Sequence, residues 1–519
     1  MQQPFATLAD AAAALRSGAV GSEELVTAAL ADAEVLDPLL GVYVTRFPEQ
    51  ALAAARAADS RPAGERGPLH GLPLAVKDNI ATVEGAATAQ SPVHDPHWWS
   101  GLDAPAVARL RGAGAVVLGK TTMAEYAMGR PDPAHGFPVP RNPWDPERWT
   151  GGSSTGNGAG IASGLFLGAL GSDTSGSVRL PAALCGATGL KTTFGLLPVD
   201  GCIPLSPSQD VLGPMAVTAR DCGLLLDALT GLPPRAPAPD GARGLRIGVP
   251  YGLIDGPGVT AECRTAFQDA LRTLRELGAQ IRELELPEFG GLLAVNGVTM
   301  LAEAFAAHGD RLAADWDGHG RTFRRLAAAG GLVPAHLYLR AQRTRGQLTA
   351  QLLARMDGPG GVDLIATPTW PAPARPYAQE AAPGEELNLT AVWNPTGFPA
   401  LALPMGADPA GLPLSLQLAG RPRCEHTLIA AGDAYQSATT WHLRRAAPDP
   451  GQRPAPLRDP DGAGPDHTSL APSTPAPPDS SADAGAALAA IGITPGPADL
   501  AVVRAVARSL LDAGRRPAA

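Results

Sequence analysis

The sequence predicts an α/β fold, a sheet with helices packed on its faces, and three observations carry that prediction. Short apolar runs bounded by glycine, as buried strands are, alternate with segments whose apolar residues recur at helical spacing. The chain of 519 residues is long enough for one large domain or a few ordinary ones. No repeat at a fixed period divides it. Taken in order, 8–17 and 22–36 read as amphipathic helices and 72–76 as a buried strand. The stretch 106–114 is helical in pattern, stops on Gly114 and feeds a strand over 115–118. Further on, 245–249 and 362–367 read as strands, with a helix over 265–277 between them. From 446 to 483 the chain is rich in Pro and Gly, with almost no apolar side chain larger than Leu457 and Leu470, and is expected to be a disordered linker. Beyond it, Leu500, Val503, Val506 and Leu510 recur at helical spacing between Pro497 and Gly514, which predicts an amphipathic helix over 498–513. The expected division is therefore a main domain over 1–445, a linker over 446–483 and a short helical tail over 484–519, packed on its own or a neighbouring subunit.

Composition narrows the function. With 41 basic against 50 acidic residues and a net charge of -9, no Lys/Arg block offers a surface for a polyanion, so nucleic acid is not an expected direct partner. The longest apolar stretches are interrupted before the ~20 residues of a membrane span, and no membrane is expected either. Residues 1–13 carry Asp10 and no basic segment before an apolar core, which argues against a secretory signal. Five cysteines (Cys185, Cys202, Cys222, Cys263, Cys424) form no C-x-x-C pair, so neither a disulfide framework nor a thiolate metal site is expected, and the cytoplasm is the compartment that fits.

Three short motifs invite chemistry that their surroundings oppose. Residues 114–121 fit G-x-x-x-x-G-K-[ST], yet the four middle residues, Ala-Val-Val-Leu, read as the strand itself and not as a phosphate loop. Ser154 in Gly152-Ser153-Ser154-Thr155-Gly156 fits the G-x-S-x-G nucleophile elbow of an esterase of the α/β-hydrolase type. That elbow needs a strand directly before it, whereas RNPWDPERWT carries two prolines, and His336, His426 and His442 have no context as its base. His94 and His97 flank a proline, with no third ligand cluster, and read as a solvated loop.

The densest signal is the run 151–189. Small residues at this density let backbone approach backbone and aim N–H groups at a ligand, as an oxyanion hole requires. A helix crossing a sheet closely also needs small residues, but not the serines gathered at its ends, Ser153, Ser154, Ser175 and Ser177. Upstream, Lys77 closes the apolar strand of GLPLAVKDNI, so a cation stands at the end of a buried strand.

GLPLAVKDNI, NPWDPERWTGGSSTGNGAG, GSDTSGSVRLPAALCGATGLKTTFG and PLSPSQDVLGPMAVTARD together resemble, in order and spacing, the amidase signature family. Weaker similarity runs from near Thr7 to near Arg445 and includes WNPTGFPALALPMG and GLPLSLQLAG. The resemblance implies a single large α/β/α domain around a mixed central sheet, with no cofactor and no metal. It also implies a Ser-cisSer-Lys triad: Ser177 as nucleophile, Ser153 as the bridging serine after a cis peptide, and Lys77 as base. The backbone N–H groups of Thr174, Ser175, Gly176 and Ser177 would form the oxyanion hole, and Asp173 and Arg179 would brace the turn. An unperturbed lysine, with a pKa of about 10.4, is neutral about once in a few thousand molecules at pH 7. Burial at a strand end is the expected means of lowering it. The sequence departs from the family at Ser175, where glycine is usual, and at Thr155 and Asn157, where small residues are common; the Ser175 side chain is expected to narrow the oxyanion turn. The first reading of function is an amidase that hydrolyses the C–N bond of a small-molecule amide and leaves room for a homo-oligomer. The glutaminase component of a tRNA-dependent amidotransferase ranks second, because no counterpart of its glutamine-recognition segment stands out in 305–345.

Overall fold

The computed structural model describes residues 5–233, 235–236, 240–379, 387–451 and 484–515. Their strands are β1 (Tyr43–Arg46), β2 (Pro73–Lys77), β3 (Val116–Thr121), β4 (Gly168–Asp173), β5 (Thr188–Lys191), β6 (Val211–Ala216), β7 (Arg246–Val249), β8 (Gln280–Glu283), β9 (Leu364–Pro368), β10 (Ala400–Ala407) and β11 (Pro413–Gly420). All belong to one sheet in the order β1-β3-β2-β4-β6-β5-β10-β11-β9-β7-β8. β2 runs parallel to β3 and β4, and β7 to β8 and β9, while every other pairing is antiparallel. The sheet is mixed, as the resemblance implied. Its central strands are buried along their whole length, which is why they read as continuous apolar runs rather than alternating ones.

The predicted elements fall in place with shifted ends. The helix expected over 22–36 extends over Ser22–Leu40, passing through Pro38. The strand expected over 115–118 occupies Val116–Thr121, because Lys120 and Thr121 are buried with partners of their own: the Lys120 ammonium donates to the Ile80 carbonyl and Thr121 Oγ1 to Asn157 Oδ1. The phosphate-loop string is thus a strand. The helix expected over 265–277 spans Ala261–Glu276, its start set by the Thr260 side chain accepting from the Cys263 N–H.

Two long helices, Glu288–Ala314 and Ala335–Asp357, pack with Arg321–Gly330 into a second layer with its own apolar cluster. Glu288–Ala314 is, among the described residues, the one helix long and apolar enough to cross a membrane, and here Val295, Val298, Leu301 and Leu312 face that cluster while Phe289 and Leu292 pack toward the sheet. The predicted tail helix spans Pro497–Arg515, preceded by Ala484–Ala489. It lies on its own chain. Leu488, Ile493, Val503, Ala507 and Leu510 are buried with Val295, Val298, Leu301, Phe323 and Ala341. The Asp499 carboxylate accepts from Arg325 Nε (2.7 Å) and Trp316 Nε1 (3.2 Å) and pairs with Arg324 (2.8 Å). The expected linker lies outside the described residues from 452 onward.

Candidate active site

Pairing of β2 with β4 brings Lys77 and Ser172 together at the same end of two adjacent strands. Lys77 is wholly buried, and its ammonium donates to Ser172 Oγ (2.8 Å), Ser172 O (3.3 Å) and Ser153 Oγ (2.7 Å). Burial lowers its pKa to about 7, against the opposing pull of Cys202, Asp173 and Asp210. Asn79 Nδ2 donates to Ser172 Oγ from the other side (3.1 Å).

Ser153 follows a cis Gly152–Ser153 peptide. Ser154 then opens the helix Thr155–Ser163, its N–H donating to the Ser177 carbonyl (3.1 Å) and tying the two serine turns together. The small residues of this helix serve close packing. A Cβ on Gly160 would lie 2.1 Å from the Phe166 ring. The bulkier departures are accommodated by hydrogen bonds, Thr155 Oγ1 to Thr122 O (2.9 Å) and Asn157 Nδ2 to Leu170 O (3.1 Å).

Ser177 precedes the helix Arg179–Cys185, in a turn organised by a buried ion pair. The Asp173 carboxylate accepts from the N–H groups of Gly176 (2.9 Å) and Val178 (3.1 Å), from Arg179 Nε (3.0 Å) and Nη2 (2.9 Å), and from Asn394 Nδ2 (3.0 Å). Burial alone would raise its pKa, but the Arg179 guanidinium holds it well below the usual carboxylate range. Arg179 in turn donates to Thr390 O, Gln417 Oε1 and Asn394 Oδ1, each at 2.8 Å. Gly176 sits at φ +122°, and a Cβ there would lie 2.1 Å from Thr390 Oγ1. Of the four N–H groups that the resemblance offered to an oxyanion, that of Gly176 is already taken by Asp173. The Ser175 hydroxyl donates to Asn296 Oδ1 (2.8 Å) on the helix Glu288–Ala314.

The competing sites do not assemble. Ser154 is fully buried and donates to Ser172 O (3.3 Å). His336 is exposed, His426 lies 3.6 Å from Asp227, and His442 sits in the turn Trp441–Leu443. His94 is buried beside Tyr126 while His97 is exposed, and among the described residues no three acidic, His or Cys side chains gather as a metal would need. Sequence reasoning missed Ser172, Asn79, Asn296, Thr390, Asn394 and Gln417. Ser172, Asn79, Asn394 and Gln417 carried a signal in that they stand inside GSDTSGSV, GLPLAVKDNI, WNPTGFPALALPMG and GLPLSLQLAG, whereas Asn296 and Thr390 stand in none of the strings quoted above.

The family model for amidases matches residues 24–429. This chain belongs to the amidase signature family. Among curated relatives, the A component of the glutamyl-tRNA(Gln) amidotransferase of Roseiflexus sp. (strain RS-1) is 38% identical over 84% of this chain and 97% of its own length. That of Geobacter metallireducens is 34% identical over 83% and 97%. Among solved structures, the peptide amidase of Stenotrophomonas maltophilia is 29% identical at a TM-score of 0.72, over 85% of this chain and 98% of its own. A structure described as a vestigial protein complex that reveals the origins of an s-triazine catabolic enzyme reaches 31% and 0.78, over 85% and 100%. For an amidase signature enzyme the shared chemistry is cleavage of an amide C–N bond, by hydrolysis or as part of an amidotransferase. The relatives reverse the ranking made from sequence: they favour the amidotransferase reading over the small-molecule amidase.

Proposed function

We propose that this chain cleaves a primary carboxamide through an acyl-enzyme on Ser177, with Ser153 and Lys77 as the proton relay, and that the side-chain amide of glutamine is its substrate. The observation that carries the chemistry is the 2.7 Å contact between a fully buried lysine, its pKa lowered to about 7, and Ser153. When the amine is neutral, Nζ accepts the Ser153 proton as Ser153 takes that of Ser177; a hydroxyl both donates and accepts. Ser177 Oγ bonds to the amide carbon, the C–N bond breaks, and ammonia leaves with a proton returned through Ser153. Water then attacks the ester, giving the carboxylic acid and free Ser177. N–H groups of the 174–177 turn stabilise the oxyanion in both steps.

The substrate rests on the relatives, amidotransferase components at up to 38% identity over nearly their whole length. It implies partner subunits in such an assembly and agrees with five free cysteines in a reducing compartment. The second reading, a self-sufficient amidase acting on another small amide, is favoured by the fit to peptide amidase. Ammonia release by the purified chain from glutamine and from a panel of aliphatic, aryl and urea-derived amides tests both. Turnover of glutamine supports the first reading, and turnover of another amide with glutamine inert supports the second. Failure of a fluorophosphonate to label Ser177, located by mass spectrometry, would sink the shared mechanism.

A further inference from the structure

The turn that carries Ser177 is held peptide by peptide. The Gly176 carbonyl accepts from the Leu180 N–H (2.7 Å), and the Ser175 carbonyl from Thr390 Oγ1 (2.8 Å). The Thr174 carbonyl accepts from Asn296 Nδ2 (3.3 Å), and the Ser175 hydroxyl donates to Asn296 Oδ1 (2.8 Å). Asn296 is itself buried and fixed, donating to Gln209 Oε1 (2.8 Å) while its own backbone carbonyl accepts from Gln209 Nε2 (3.4 Å). A peptide unit is planar and trans, so the direction of the Thr174 carbonyl sets the direction of the Ser175 N–H at its other end. With the Gly176 N–H taken by Asp173, the Ser175 N–H is one of the donors left in the turn for an oxyanion.

We propose that Asn296 is a positioning residue for the reaction, aiming the Ser175 N–H at the oxyanion through its hold on the Thr174 carbonyl and the Ser175 hydroxyl. The inference rests on the Ser177 mechanism. It also gives the Ser175 departure a role: the hydroxyl is the second point at which the helix Glu288–Ala314 grips the turn. A carboxamide suits the position because it donates at one atom and accepts at the other, which the two turn groups require together. The hydrogen bonds of Asn296 go to Thr174, Ser175 and Gln209 and not to Ser177 or Lys77, so its loss would misaim a donor without removing nucleophile or base.

The test uses the full chain, with kcat normalised to active sites titrated by fluorophosphonate, so that a poorly folded fraction does not count. Asn296→Ala is expected to lower kcat about 10- to 100-fold with KM changed less than threefold, since removing one oxyanion donor outright costs about 10²–10³. Affinity for an aldehyde transition-state analogue should fall in parallel, while affinity for an unreactive substrate-like amine is kept. Ser175→Ala should lower kcat less, and the double variant should match Asn296→Ala, because both act on one turn. Asn296→Asp, which can accept but not donate, should stay low. Normalised kcat in Asn296→Ala within twofold of the parent, or a loss confined to KM, overturns the proposal. Ser177→Ala separates the two failures. If it is inactive while Asn296→Ala is unimpaired, only the positioning role falls; if it turns over normally, mechanism and inference fall together.

Discussion

Ser177, Ser153 and Lys77 make distinct demands on single substitutions. Ser177→Ala should remove at least ~10³ of kcat in steady-state assays without unfolding the chain, whereas Ser154→Ala, which loses one hydrogen bond to the Ser172 carbonyl, should stay within about tenfold of the parent. The opposite order would restore the nucleophile-elbow reading. If Lys77 is the base proposed here, its neutral amine is the active form, and with a pKa of about 7 kcat/KM should rise about tenfold per pH unit below 7 and level off above it. Lys77→Arg should be as inactive as Lys77→Ala, because a guanidinium does not give up its proton. Stability has its own sign. The folded pKa lies below the unfolded value of about 10.4, so the unfolded chain binds more protons between the two, and this residue's contribution to stability rises with pH across that interval. Lys77→Met should therefore abolish turnover while raising the melting temperature at pH 7, and a fall on calorimetry would contradict the burial penalty. At this scale the three candidates were legible because each stands in a distinctive string, and the structure places Lys77 against Ser153. Their supports were not: Asn296 and Asn394 come from 121 and 221 residues away from the groups they hold, and a lone asparagine in a helix or loop carries no local sign of such a partner.

Elements were read best where they were buried on both faces. The runs at 72–76 and 115–118 are apolar because β2 and β3 lie inside the sheet, and the second was cut short because Lys120 and Thr121 look like surface residues until their partners are known. The helix Glu288–Ala314 was not read at all; its apolar residues face a second helical layer as well as the sheet side, so no narrow stripe stands out. The tail helix was legible from its stripe, but its seat was not, since Asp499 gives no hint of Arg324, Arg325 and Trp316. Asp499→Ala removes hydrogen bonds to charged partners that are largely buried, each of the kind worth about 1.5–3 kcal/mol. The melting temperature should fall, and Arg325→Ala in the same background should cost little more. Two independent, additive losses would mean that the carboxylate does not organise the seat.

The whole molecule joins a sheet, where the serines and the lysine meet, to a helical layer that reaches the same turn through Asn296. Leu510 of the tail helix lies against Gly297, the neighbour of Asn296, with its Cδ2 3.8 Å from where a Cβ would stand. Truncation after Gly451 should therefore lower both the melting temperature and the normalised kcat, while Ser177 remains open to fluorophosphonate. An unchanged melting temperature would show that the apolar surface under Val503 and Leu510 needs no cover. The mixed architecture was legible through the family resemblance, while the order of eleven strands was not, because pairings such as β5 with β10 join segments about two hundred residues apart whose registers leave no local trace.

The tail keeps its place with side chains, an apolar face and one carboxylate, and a seat of that kind does not depend on an unbroken chain. A gene split after Gly451, with 484–519 supplied as a separate polypeptide, should reassemble into a working enzyme. The short piece should be retained on an affinity-tagged body, and Asp499→Ala should weaken that capture. Catalytic output would then be titrated by the amount of a peptide, turning a structural appendage into a complementation partner.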